Sequence, residues 1–205
     1  MKNIIIAGPS RCGKSTLASR MNEEFGHFVI GTDKLAAVFG QAYPNLGIRL
    51  AWDRELTTKN IAPFVGHFLG TYNSPDGRGL LPYSHGEARG NMFVLEGGYF
   101  DFETVSSILK SYGIAEMKEE FILIGLVQLK KSAVELAADF LKYDTENDWT
   151  HGFDEPGRLE IANDVLESSG QMAASFDKFG FAVYDVSYGR DSVFDRIIGD
   201  IGARG

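Results

Sequence analysis

The chain of 205 residues is long enough for one sizeable domain, or for one domain carrying a large insertion. With 44% hydrophobic and 12% aromatic residues it can bury a full core, which excludes a disordered chain. A formal net charge of −8 argues against nucleic acid or an anionic membrane as the main partner, and a lone cysteine, Cys12, excludes an intrachain disulfide. No apolar run is long enough to span a bilayer and no signal pattern is present, so a cytoplasmic chain is expected.

Asn3-Ile4-Ile5-Ile6-Ala7 is short, apolar and β-branched, as a strand buried on both faces requires. Residues 14–25 then show helical spacing, with Leu17, Ala18, Met21 and Phe25 on one face and Gly26 as C-cap. Between them runs Gly8-Pro9-Ser10-Arg11-Cys12-Gly13-Lys14-Ser15, the P-loop pattern G-x-x-x-x-G-K-S in a strand–loop–helix setting. A loop wraps a phosphate only if its backbone N–H groups point at one centre, and Gly8 and Gly13 permit the required angles and close approach. The helix N-terminus adds free donors and partial positive charge.

In this reading Lys14 reaches the β- and γ-phosphates and Ser15 places its hydroxyl on Mg²⁺. The nucleotide-binding candidates are therefore Gly8, Pro9, Ser10, Arg11, Cys12, Gly13, Lys14, Ser15 and Thr16, with ATP and Mg²⁺ as ligands. Cys12 admits two readings: a thiol made reactive by the helix N-terminus, or a small residue filling a loop position.

His27-Phe28-Val29-Ile30 is the second predicted strand, and Asp33 follows it. Loops at the carboxyl ends of parallel strands line the ligand crevice, so Asp33 lies near the phosphates, caps a helix over 34–39, or does both. Residues 34–91 are too many for an ordinary crossover. They contain a helix over 53–69, with Leu56, Ile61, Phe64, Val65 and Phe68 on one face, which Pro63 should kink or restart. A turn is expected at Ser74-Pro75-Asp76-Gly77. This stretch reads as an insertion carrying the second substrate, with Arg49, Arg54, Arg78 and Arg89 as its arginines.

The third strand, over 91–95, delivers Glu96-Gly97-Gly98-Tyr99. An acid there can orient Mg²⁺ through water or accept a proton, and burying it without a cation or donor would be costly. Asp101 opens a helix to Tyr112. A strand over 121–127, a helix over 130–143, an acidic loop and a helix over 158–179 follow, then a strand over 181–186 and a helix over 191–201. The alternation predicts a three-layer α/β sandwich around a five-stranded parallel sheet, all in one domain. The guanine-reading Asn-Lys-x-Asp of GTPases is absent, and the four histidines show no metal-ligand spacing.

The P-loop and the element order resemble the nucleoside-monophosphate-kinase branch of P-loop NTPases, which includes adenylate and shikimate kinases. The resemblance implies strand order 2-3-1-4-5, an acceptor-binding insertion over about 34–91, a mobile lid over about 130–158, and adenine held by the loop 187–190. Ile30-Gly31-Thr32-Asp33-Lys34-Leu35 is similar to the shikimate-kinase strand end, where an aspartate holds the acceptor's hydroxyls. Lids of this group carry arginines, and Arg158 is the best candidate here.

The implied catalytic set is Lys14, Asp33, Glu96 and Arg158, with Ser15 and Glu96 as the metal pair. The two arginines that clamp a monophosphate acceptor are missing, for Ala36 stands at one place and Glu96-Gly97-Gly98-Tyr99-Phe100 offers none. The expected activity is therefore γ-phosphoryl transfer from ATP to a hydroxyl-bearing metabolite. A nucleoside monophosphate kinase, and an ATP-binding regulatory protein that transfers nothing, are the other two readings.

Overall fold

The computed structural model describes residues 2–50, 53–73, 92–146 and 148–203. The turn expected at Ser74-Pro75-Asp76-Gly77, and Arg78 and Arg89, lie outside the described residues. In chain order the elements are β1 (Asn3–Ala7), α1 (Lys14–Phe25), β2 (Phe28–Gly31), α2 (Thr32–Ala42), a 3₁₀ turn (Pro44–Leu46) and α3 (Arg54–Asn73). They continue with β3 (Phe93–Gly97), α4 (Phe102–Ser111), α5 (Met117–Glu120), β4 (Phe121–Val127), α6 (Ala133–Tyr143), α7 (Glu155–Phe179), β5 (Ala182–Asp185) and α8 (Arg190–Gly202). All five strands are parallel, in the order β2-β3-β1-β4-β5.

Side chains alternate across a strand, and β1 splits its residues between two separate cores. Ile5 and Ala7 join Leu95, Leu123 and the inner faces of α3, α4 and α7. Ile4 and Ile6 join Val94, Ile124, Leu126 and the inner faces of α1 and α8. The expected three-layer sandwich is thus the architecture. Close helix and strand approach depends on small residues: a Cβ on Gly125 would lie 2.5 Å from the Phe176 ring. At the amino end of β1, Asn3 Nδ2 donates to Asn73 Oδ1 at 2.8 Å, and Asn3 Oδ1 accepts from the Phe93 N–H at 2.9 Å.

Three local expectations are corrected. First, α3 runs as one helix through Pro63 and does not restart there. Pro63 is exposed, so solvent can serve the carbonyl whose partner proline removes, while Ile61, Ala62, Val65 and Leu69 stay anchored in the core. Second, α2 starts at Thr32 with Gly31 as its N-cap, so Asp33 lies inside the first turn and does not cap the helix. Third, α7 starts three residues earlier than the spacing suggested. Asp154 caps it, accepting from the Gly157 N–H at 3.0 Å, and Pro156 sits in the first turn, where no N–H is needed.

Candidate active site

The register of the sheet decides which side chains meet. Glu96 lies inside β3, opposite Gly31 of β2 on one side and Ile6 of β1 on the other. The carboxylate therefore emerges between the second and first strand ends, beside the loop that follows β1. Gly31 leaves it room: a Cβ there would be 3.2 Å from Glu96 Oε1.

The loop after β1 is tightly packed at both of its glycines. Gly13 has φ 79° and is the residue immediately before α1. Gly8 packs so tightly on β4 that a Cβ would lie 2.4 Å from the Leu126 carbonyl oxygen. Lys14 folds back over the loop, Nζ donating to the Pro9 carbonyl at 2.7 Å. Ser15 Oγ donates to Glu96 Oε1 at 3.1 Å.

Lys14, Glu96 and Asp33 form one electrostatic group. Burial lowers the Lys14 pKa, against the opposing pull of Cys12, Glu96 and Asp33. Burial likewise raises the Glu96 pKa above the ordinary carboxylate value; Lys14 and Ser15 oppose the rise and Asp33 adds to it. A partly buried carboxylate in that condition, with a hydroxyl at hydrogen-bond distance, is a hard-oxygen pair suited to Mg²⁺, which keeps several waters and phosphate oxygens. The donor set fits the expected metal. Asp33 is exposed and caps no helix; its carboxylate accepts one hydrogen bond, from Thr32 Oγ1 at 3.4 Å to Oδ1, and is open to solvent.

Among the described residues of the insertion, Arg54 is an arginine brought to this mouth. A Cβ added to Gly98 would lie 3.3 Å from Arg54 Nη2 and 3.4 Å from the Gly8 carbonyl, so the three share one small space. Arg54 Nη1 also faces Ser168 Oγ of α7 at 3.4 Å, and its charge contributes to lowering the Lys14 pKa. Sequence spacing left Arg54 as one of four equivalent arginines. Only its place at the start of α3, with the rest of that helix packed on α4, singles it out.

Arg158 occupies the first turn of α7, where its guanidinium donates to the Phe153 carbonyl. Cys12 settles on the second of its two readings. It is completely buried, and burial pushes its thiol up to about 12 although Lys14 pulls the other way. Reactive thiols are exposed and have lowered pKa values; this one is packing.

A cavity of about 450 Å³ opens beside the loop, lined by Arg11, Gln128, Lys131, Phe140, Tyr188 and Arg190 among others. It joins the P-loop to the segment following β5. Another cavity, of about 510 Å³, opens at the amino ends of β4 and β5 between Lys2, Lys118 and Asp200, away from the strand ends that carry the candidate residues.

No protein-family model matches the chain, and no curated protein matches it in sequence. Solved structures do. A shikimate kinase from Bacteroides thetaiotaomicron superposes with a TM-score of 0.55 at 13% identity, covering 98% of both chains. A shikimate kinase from Acinetobacter baumannii, solved in complex with shikimate, gives 0.51 at 14% identity, covering 100% of this chain and 94% of the other. The chain therefore has the P-loop fold of the shikimate kinases, with its sheet in the expected order.

Proposed function

We propose that this protein is a kinase that transfers the γ-phosphoryl of ATP to a hydroxyl group of a small, acidic metabolite. One observation carries the reading. Lys14, Ser15, Glu96, Asp33 and Arg54, drawn from four separate segments, converge at the carboxyl ends of β1, β2 and β3.

Each residue has a role that follows from its place. Lys14 exchanges the Pro9 carbonyl for phosphate oxygens, and the N–H groups of the loop hold the β-phosphate. Ser15 and Glu96 would hold Mg²⁺, which when bound neutralises charge on the phosphates. Asp33 aligns the acceptor hydroxyl and takes its proton. The acceptor oxygen bonds to the γ-phosphorus as the bond to the β–γ bridging oxygen breaks, and ADP leaves with that electron pair. Most of the acceleration comes from positioning and charge compensation.

Arg54 narrows the acceptor. A single guanidinium beside Gly98 suits one carboxylate, whereas a transferable monophosphate calls for a larger clamp. Ala36, fully buried in α2, supplies none. The Acinetobacter baumannii neighbour's shikimate is itself a hydroxylated carboxylic acid, which supports this choice of class. The segment between α6 and α7 serves as a lid in this reading. Arg158 joins the transfer only by leaving the Phe153 carbonyl.

The test is ADP release with panels of hydroxy acids, sugars, polyols and nucleoside monophosphates. Turnover is expected within the hydroxy-acid panel. Turnover of a monophosphate with the hydroxyl panels silent would replace this reading with a nucleoside monophosphate kinase. ATP binding with every panel silent would favour a regulatory protein that transfers nothing.

A further inference from the structure

Arg11 has a backbone conformation that its residue type disfavours. It has φ 63° and is the only non-glycine with positive φ among the described residues. Glycine adopts this region freely, whereas an arginine is strained there, so its side chain must return something.

Where the side chain goes supplies the reason. Nη1 bonds Asp148 Oδ1 at 2.7 Å, Nη2 pairs with Asp144, and the guanidinium lies 5.5 Å from the centre of the Phe140 ring. Asp144 is only 2% exposed and also accepts from Thr150 Oγ1. Asp148 accepts at 2.9 Å from both the N–H and the hydroxyl of Thr145. Together with Arg11 these bonds hold its carboxyl down at about 2. The turn after α6 is thus folded around a guanidinium that belongs to the P-loop.

The charge pattern makes this arrangement consequential. Asp144, Glu146 and Asp148 lie within five residues of one another, next to a loop built for a polyanion. Unmasked, such carboxylates repel phosphates; paired with a cation, they do not.

We propose that Arg11 is a positioning residue that fastens Asp144 and Asp148 to the P-loop and screens both carboxylates from the phosphates of a bound nucleotide. It acts through those carboxylates, and an acidic segment can then lie over an anionic ligand. The inference rests on the ATP reading given above.

The experiment is calorimetric titration with ATP·Mg²⁺ at low salt, on wild type, Arg11→Gly, Arg11→Lys, Arg11→Gly/Asp148→Asn and Lys14→Ala. Arg11→Gly relaxes the backbone yet should bind about tenfold more weakly. Adding Asp148→Asn should recover at least about threefold, and raising the salt to about 0.5 M should shrink the Arg11→Gly defect. Arg11→Lys, which keeps the charge but lacks the planar fork that meets the two carboxylates from separate nitrogens, should lose roughly twofold to fivefold. It also carries the test should Arg11→Gly not fold.

Arg11→Gly binding as tightly as wild type would overturn the inference. So would a double variant no better than the single one, or a defect indifferent to salt. If Lys14→Ala binds like wild type, or wild type binds no ATP, the nucleotide reading itself has failed. If Lys14→Ala loses binding and the Arg11 variants do not, only the present inference falls.

Discussion

Ser15 and Glu96 are joined by a hydrogen bond of 3.1 Å, from the first turn of α1 to the end of β3. The bond links the phosphate loop to the strand lying between it and β2, and puts the hydroxyl and carboxylate oxygens at the distance one cation could span. Glu96 takes this position at a cost, because burial disfavours its charged form.

Glu96→Gln is accordingly expected to stabilise the protein while disabling it. A carboxyl whose folded pKa is raised contributes its stability below the unfolded value, about 4.5, and loses it as pH rises through the folded value. At neutral pH without Mg²⁺, removing that charge should gain about 1 kcal/mol, or roughly 2–4 °C in Tm for a chain of this size. Turnover should fall about 100-fold or more. Thermal melts and steady-state rates on the same preparations check both halves; an unchanged rate would remove Glu96 from the machinery.

Arg54→Ala should raise the KM for the acceptor about 10- to 100-fold, the worth of a charged hydrogen-bond pair. The effect on the ATP KM should be smaller. The reverse ordering would place Arg54 on the nucleotide instead, so both constants have to be measured once an acceptor is found.

Cys12 should resist alkylation in the folded protein. At pH 8 a thiol pushed up to about 12 is almost wholly protonated, and the side chain has no exposed surface. Labelling with iodoacetamide, followed by mass spectrometry, should be negligible over minutes in buffer and complete in denaturant. Rapid labelling of native protein would contradict the packing described.

His27 supplies a pH dependence of stability. It is 1% exposed just before β2, its two ring nitrogens lack hydrogen-bond partners of good geometry, and burial lowers its pKa. Above about pH 6.5 the ring is neutral in both folded and unfolded chains and contributes no slope. Below that the unfolded chain takes up the proton first, so stability should fall by about 1 kcal/mol per pH unit until the folded value is reached. Urea midpoints between pH 7.5 and 5.5 should show this decline in wild type and a flatter line in His27→Gln. Parallel lines would show that His27 is not responsible.

Legibility from sequence followed the range of the interactions involved. Strands β1 and β4, helix α1 and the Gly26 cap rest on neighbours within a few residues, and they stand where the spacing put them, whereas β3 lies two residues later than expected. The sheet order came through resemblance, since nothing in a strand's own sequence says which strand it will pair with. Asp33 was ambiguous because capping and ligand binding call for the same residue type at the same strand end. Cys12 was ambiguous because the helix N-terminus and burial push a thiol in opposite directions, and only packing shows that burial wins. The Arg11–Asp148 bond spans 137 residues of chain, and neither residue carries a local sign of the other. Glu96 was found from its place at a strand tip, but that it lies within the strand, facing Gly31, needed the register.

The bonds of Asn3 give that register a fixed origin. By accepting from the Phe93 N–H and donating to Asn73, Asn3 sets where β1 starts relative to both β3 and α3. Five residues later the same strand releases Gly8, at roughly 3.3 Å per residue. A slip of one residue would exchange the isoleucines between the two cores and carry the whole phosphate cradle past Glu96 by a full step. The strand is a ruler with its zero at Asn3, and the starting point of the Gly8–Ser15 loop is read off its other end.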